Sequence, residues 1–78
     1  MKVRVKVPKL GLTIEEVTLA AWEAELGATV EAGAVIATVE ADKATYEIVA
    51  PASGRLISQA AEPGTVLPIG AELAVIDA

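Results

Sequence analysis

Lys43 is the residue whose type and placement could do chemistry. It lies near the middle of 78 residues, in Glu40-Ala41-Asp42-Lys43-Ala44, between two strand-like runs. The other cations are Lys2, Arg4, Lys6 and Lys9 near the N-terminus and Arg55 further on. From Leu10 to Gly54, Lys43 is therefore the one cation among eight carboxylates. A primary amine held on a tight turn between strands keeps a fixed position without burial and is open to covalent modification. On residue type alone a solvated turn lysine is the plainer reading. Isolation and position favour a handle that another protein recognises.

Other chemistry is scarce. With no His and no Cys there is no Ser-His or Cys-His nucleophile pair, no thiolate, no disulfide and no zinc site of ordinary composition. Carboxylates are plentiful, but a glycosidase-like pair needs a cleft that so small a domain has little room to form. Glu15-Glu16 and Glu40-x-Asp42 read as solvated loop charges. The six glycines do not form a G-x-G-x-x-G or Walker pattern, which disfavours phosphate binding. A net charge of −5, with the basic residues gathered on one alternating segment, argues against nucleic acid. No apolar run approaches the ~20 residues of a membrane span, and no signal-peptide stretch opens the chain. The expectation is one soluble intracellular domain over residues 1–78.

The elements that must position Lys43 read as β throughout. Val3, Val5 and Val7 alternate with Lys2, Arg4 and Lys6, which is the period of a half-buried strand. Pro8 ends that strand, and Gly11 with Glu15-Glu16 marks a loop. Further strands are expected over residues 17–22, 35–39, 46–49, 55–60 and 73–76, with turns at Pro51 to Gly54 and Pro63-Gly64. A helix over residues 14–26 can be argued from Ala and Glu content, but Val17, Thr18 and Trp22 suit a strand. Val, Ile and Leu supply 23 residues and Ala 16, with one Trp, one Tyr and no Phe, a composition for a thin aliphatic core.

The chain also repeats itself. Glu25-x-Gly27, Gly33-Ala34 and Ile36-Ala37-Thr38-Val39-Glu40 recur 37 residues later as Glu62-x-Gly64, Gly70-Ala71 and Leu73-Ala74-Val75-Ile76-Asp77. Pro8-x-x-Gly11 recurs 43 residues later as Pro51-x-x-Gly54, so the first half carries six extra residues. They fall most simply in the loop Leu12, Thr13, Ile14, Glu15 and Glu16. Two similar β units facing each other about a pseudo-two-fold axis are expected, neither able to bury its own apolar face. Glu40 and its counterpart Asp77 then lie at opposite poles.

These residues carry a family resemblance. Glu40-Ala41-Asp42-Lys43-Ala44, followed by Glu47-Ile48 and Pro51-x-x-Gly54, resembles the attachment hairpin of the lipoyl domains of 2-oxo acid dehydrogenase complexes. Val7-Pro8-x-x-Gly11, Trp22, Gly27 to Gly33 and Pro63-Gly64 to Gly70 extend the likeness over nearly the whole chain. Ala41 and Ala28 depart from the family, which often has Thr or Ser at the first position and Asp at the second. The resemblance implies a flattened β-barrel or sandwich of two four-stranded antiparallel sheets with quasi-two-fold symmetry. It implies lipoic acid in amide linkage on Lys43, with Asp42, Ala44 and Glu40 as the recognised flank. The chain would then be a non-catalytic swinging-arm carrier, part of or partner to a dihydrolipoyl acyltransferase. The implied partners are a thiamine-diphosphate-dependent 2-oxo acid dehydrogenase, that acyltransferase, the flavoprotein dihydrolipoyl dehydrogenase and a lipoate-attaching enzyme. Leu12, Thr13, Ile14, Glu15 and Glu16 are a candidate recognition loop beside the lysine, or a tolerated surface insertion. The implied location is the bacterial cytoplasm, or the mitochondrial matrix for an organellar protein. Two alternatives remain open. One is a biotin carrier of the same architecture, in which Met typically flanks the lysine where this chain has Asp42 and Ala44. The other is an unmodified interaction module.

Overall fold

Eight strands account for the regular structure of the computed structural model, which describes residues 1–78 except Leu12, Asp42 and Lys43. They are β1 (Lys2–Lys6), β2 (Glu16–Trp22), β3 (Thr29–Val30), β4 (Val35–Ala41), β5 (Ala44–Val49), β6 (Gly54–Gln59), β7 (Val66–Pro68) and β8 (Glu72–Asp77). Two four-stranded antiparallel sheets result, in the orders β1-β8-β6-β3 and β5-β4-β2-β7. The sheets stay open, so the flattened barrel is realised as a sandwich. No described residue is helical. The segment open to a helical reading forms β2, because alternation places Val17 and Leu19 in the core while Glu16 and Thr18 face outward.

The repeat governs the whole pairing scheme. Each sheet takes two strands from each half of the chain, so the halves interlock instead of stacking as separate units. Four ladder irregularities occur in two matched pairs. One residue is skipped between Leu19 and Ala21 in β2, and one between Leu56 and Ser58 in β6. Likewise Ile36 is skipped between β4 and β5, and Leu73 between β8 and β1. A bulge lets two successive residues leave strict alternation. It thereby puts both Ile36 and Ala37, and both Leu73 and Ala74, into the core with no exposed surface.

The core is aliphatic and nearly symmetric. Leu19 and Leu56, Ile36 and Leu73, and Val39 and Ile76 are repeat partners, and all six are fully buried. Each contributes roughly 1.5–3 kcal/mol through burial. No polar side chain is buried among the described residues. Turn geometry repeats as well. Gly27, Gly33, Gly64 and Gly70 have φ of 90°, 87°, 95° and 88°, the left-handed region that favours glycine.

The two shortest strands, β3 and β7, carry no alternation that a sequence can show. Tertiary pairing creates them. Thr29 and Val30 pair with Arg55 and Gly54, and Glu16, Val17 and Thr18 pair with Pro68, Leu67 and Val66.

Candidate functional site

Strands β4 and β5 form the longest ladder, running from the Val35–Val49 pair to the Ala41–Ala44 pair. The chain therefore reverses between Ala41 and Ala44. The two residues that connect them, Asp42 and Lys43, lie outside the described residues, so the attachment expectation is located through its neighbours. Ala41 is buried and anchors the end of β4, whereas Ala44 is exposed at the start of β5. Glu40 is exposed on the outer face, in a row with Thr45 of β5 and Thr18 of β2. Alternation explains the arrangement. Val39 and Ala41 point inward, which turns Glu40 outward.

The neighbouring loop reaches the same pole. Thr13, Ile14, Glu15, Glu16 and Ala41 line one shallow polar depression, which brings the expected recognition loop beside the end of the lysine hairpin. Leu12 lies outside the described residues. Ile14 is half-buried and packs on the core, and its side chain sits over Gly11, where an added Cβ would come within 3.3 Å of it. The backbone N–H of Ile69 donates to the Glu15 carbonyl at 3.0 Å, tying the loop to the turn between β7 and β8. Glu16 is the first residue of β2 and pairs with Pro68, so the loop ends one residue sooner than its composition suggests.

Two participants carry no sequence signal. Ala41 forms a wall of the depression although its type advertises nothing. Gly54 is required for packing: a Cβ on it would press on the carbonyl oxygen of Asp77, so the end of the neighbouring strand β8 lies in direct backbone contact with it. Glu40, Glu15, Glu16 and Glu47 make the described surroundings of the hairpin anionic, and all four are exposed. The described ion pairs lie elsewhere, with Arg4 Nε 3.2 Å from Glu72 and the N-terminal amine 3.6 Å from Asp77.

The ladder of β1 and β8 closes in a comparable pair of residues. The N–H of Ala78 donates to the carbonyl of Met1 at 2.8 Å, and the Met1 amine donates to the Ala78 carbonyl at 2.9 Å. By the repeat, Met1 and Ala78 are the counterparts of Ala44 and Ala41.

Two open four-stranded antiparallel sheets interlocked about a pseudo-two-fold axis define the class of small β-sandwich to which the chain belongs. A family model described as "Biotin-requiring enzyme" (Biotin_lipoyl) matches residues 3–76, and the chain belongs to that family. It is 41% identical over 69 residues to the lipoamide acyltransferase component of a branched-chain alpha-keto acid dehydrogenase complex of Pseudomonas aeruginosa. That match covers 88% of this chain but 16% of the relative, so the chain spans less than a fifth of that protein. The solution structure of the lipoyl domain of the 2-oxoglutarate dehydrogenase complex from Azotobacter vinelandii superposes with a TM-score of 0.79 at 25% identity. There 97% of this chain covers 96% of that one. A single-chain, multi-domain long-chain acyl-CoA carboxylase superposes over 95% of this chain and 7% of its own, with a TM-score of 0.80 at 26% identity. The kinship with lipoyl domains read from residues 40–44 and the flanking strands is borne out.

Proposed function

We propose that Lys43 is the attachment point for lipoic acid and that the chain works as a swinging-arm carrier in a 2-oxo acid dehydrogenase complex. The observation that carries this reading is the Ala41–Ala44 pair, which brackets Asp42 and Lys43 at the end of the longest ladder. A side chain in that connection extends from a frame whose strands are fixed on both sides. When bound, the lipoyl group supplies a dithiolane that accepts an acyl group together with two electrons, chemistry that a chain without Cys cannot supply itself.

The chain's own residues fit a presenting role. The Lys43 amine forms the amide, and linkage removes its charge. Glu40, Asp42 and Ala44 give the attaching enzyme a local address beside the paired ends of β4 and β5. Thr13, Ile14, Glu15 and Glu16 stand beside that address and give acyl-donating and acyl-accepting enzymes a second contact. The reading assigns no catalytic residue to the chain. Its partners would be the thiamine-diphosphate-dependent dehydrogenase, the dihydrolipoyl acyltransferase, the dihydrolipoyl dehydrogenase and the lipoate-attaching enzyme, in the bacterial cytoplasm or mitochondrial matrix. Lipoate is favoured over biotin because the lysine is flanked by Asp42 and Ala44, and because a matched relative is named as a lipoamide acyltransferase component.

The test is a Lys43→Ala variant. It should keep the fold, by circular dichroism and thermal unfolding, and lose all capacity to be lipoylated and to support acyl transfer. Retained acyl transfer would sink the carrier reading.

A further inference from the structure

The pseudo-two-fold axis makes the two outer faces of the sandwich structural copies of each other, yet their net charges differ in sign. On the β1-β8-β6-β3 sheet Glu72 and Asp77 of β8 lie outward among the more numerous cations Lys2, Arg4, Lys6 and Arg55. The repeat counterparts of these cations on the β5-β4-β2-β7 sheet are Thr45, Glu47, Val49 and Thr18. That second face carries the exposed carboxylates Glu16, Glu40 and Glu47 and, among the described residues, no cation. It also exposes Val49 (48%) and Val66 (54%) at its two edges. The fold imposes the same packing demands on both faces, so it does not require this partition of charge. Among the described strand residues the cations lie on the far sheet, while the sheet that contains the lysine hairpin combines carboxylates with exposed valines.

We infer that the outer face of the β5-β4-β2-β7 sheet is a docking surface for the lipoate-attaching enzyme, which would present a basic, partly apolar face beside its active-site entrance. The surface rests on the carrier reading for its purpose, since β4 and β5, the strands on either side of Asp42 and Lys43, belong to this sheet. Charge complementarity selects the partner. A basic surface is drawn to the anionic sheet and repelled by Lys2, Arg4, Lys6 and Arg55 on the other, so encounter favours the orientation that presents the hairpin. The exposed valines then give the encounter apolar area to bury.

The experiment measures initial rates of lipoyl transfer by a lipoate ligase to the wild-type chain and to two reversed pairs. Glu16→Lys with Glu47→Lys reverses the docking face, and Lys2→Glu with Lys6→Glu reverses the opposite one. All four positions are exposed, and circular dichroism checks the fold. At about 20 mM ionic strength the first pair should lose about tenfold in kcat/KM, within the range of electrostatic steering. The loss should shrink to less than about twofold at about 500 mM, where screening shortens the reach of charge. The second pair should stay within about twofold of wild type at both strengths. Neutral Glu16→Gln with Glu47→Gln should fall between wild type and the lysine pair at low salt. A lipoylated wild type with an unchanged first pair, or equal and opposite changes from the two reversals, overturns the docking face and leaves the carrier reading standing. A wild type that takes no lipoyl group overturns the carrier reading, and the docking face with it.

Discussion

Trp22 and Gln59, 37 residues apart, make the same contact from opposite sides of the pseudo-two-fold axis. The indole Nε1 of Trp22 donates to the Ala61 carbonyl at 3.0 Å, and the amide Nε2 of Gln59 donates to the Ala24 carbonyl at 3.1 Å. Ala24 and Ala61 are themselves repeat partners. Each half therefore caps the turn that follows the equivalent strand of the other half, with an aromatic donor in one case and an amide in the other. Backbone contacts cross the axis in the same way. Gly27 donates to the Leu56 carbonyl and Gly64 to the Leu19 carbonyl, both at 2.7 Å.

Trp22→Phe should thus cost stability through the lost donor as well as through volume. The hydrogen bond is part-buried, and its loss should remove about 1 kcal/mol, as should that of Gln59→Ala. Urea unfolding of each variant and of the double variant checks this. The two contacts lie at different turns, so the losses should add within about 0.5 kcal/mol.

Gly54→Ala should be the most damaging glycine substitution. Its added Cβ would press on the Asp77 carbonyl oxygen and come within 2.8 Å of the Ala78 Cα, backbone atoms that move only if β8 and the residue after it shift. A loss on the order of 3 kcal/mol is expected from such overpacking. Gly64→Ala, at φ 95° with no atom within 4 Å, should cost only the left-handed backbone, about 1–2 kcal/mol. Comparison of the two melting curves decides the order.

How far the sequence could be read follows from these residues. The alternation of Val3, Val5 and Val7, the offset of 37 and the turn glycines showed the longer strands of each half and the repeat, because each is a pattern that can be read along the chain, while the interlocking of the halves across both sheets needed the fold. The matched bulges at Ile36 and Leu73 were hidden, since a bulge breaks the alternation on which a strand reading depends. Strands β3 and β7 were hidden because two or three residues have no period and exist only through their partners. Gly54 looked like another turn glycine, yet its φ is not among the positive ones and its role is close approach to β8. At the site, the residue type and flanks of Lys43 were legible in one dimension, while the convergence of Ala41 with the loop at Thr13 to Glu16 needed the fold.

Arg4→Met should change stability by less than about 0.5 kcal/mol. Its pair with Glu72 is formed at 3.2 Å, but the two side chains are 70% and 41% exposed, and water and salt screen such pairs. Thermal unfolding at low and high salt should give nearly superimposable shifts for variant and wild type.

Moving the lysine by one residue should block modification. Asp42→Lys combined with Lys43→Asp, or Ala44→Lys combined with Lys43→Ala, keeps the local charge of the natural hairpin. It re-aims the amine relative to the Ala41–Ala44 pair. Both variants should be labelled at less than about a hundredth of the wild-type rate, a loss of the order expected when a reacting group is misplaced by about an ångström. Efficient labelling of either would show that the attaching enzyme does not read position.

Intact mass before and after incubation with a lipoate ligase, lipoate and ATP, with peptide mapping of any adduct, tests the central claim most directly. The account predicts one lipoyl addition, mapped to Lys43. No lipoyl addition, or an addition mapped to Lys2, Lys6 or Lys9 instead, would contradict it.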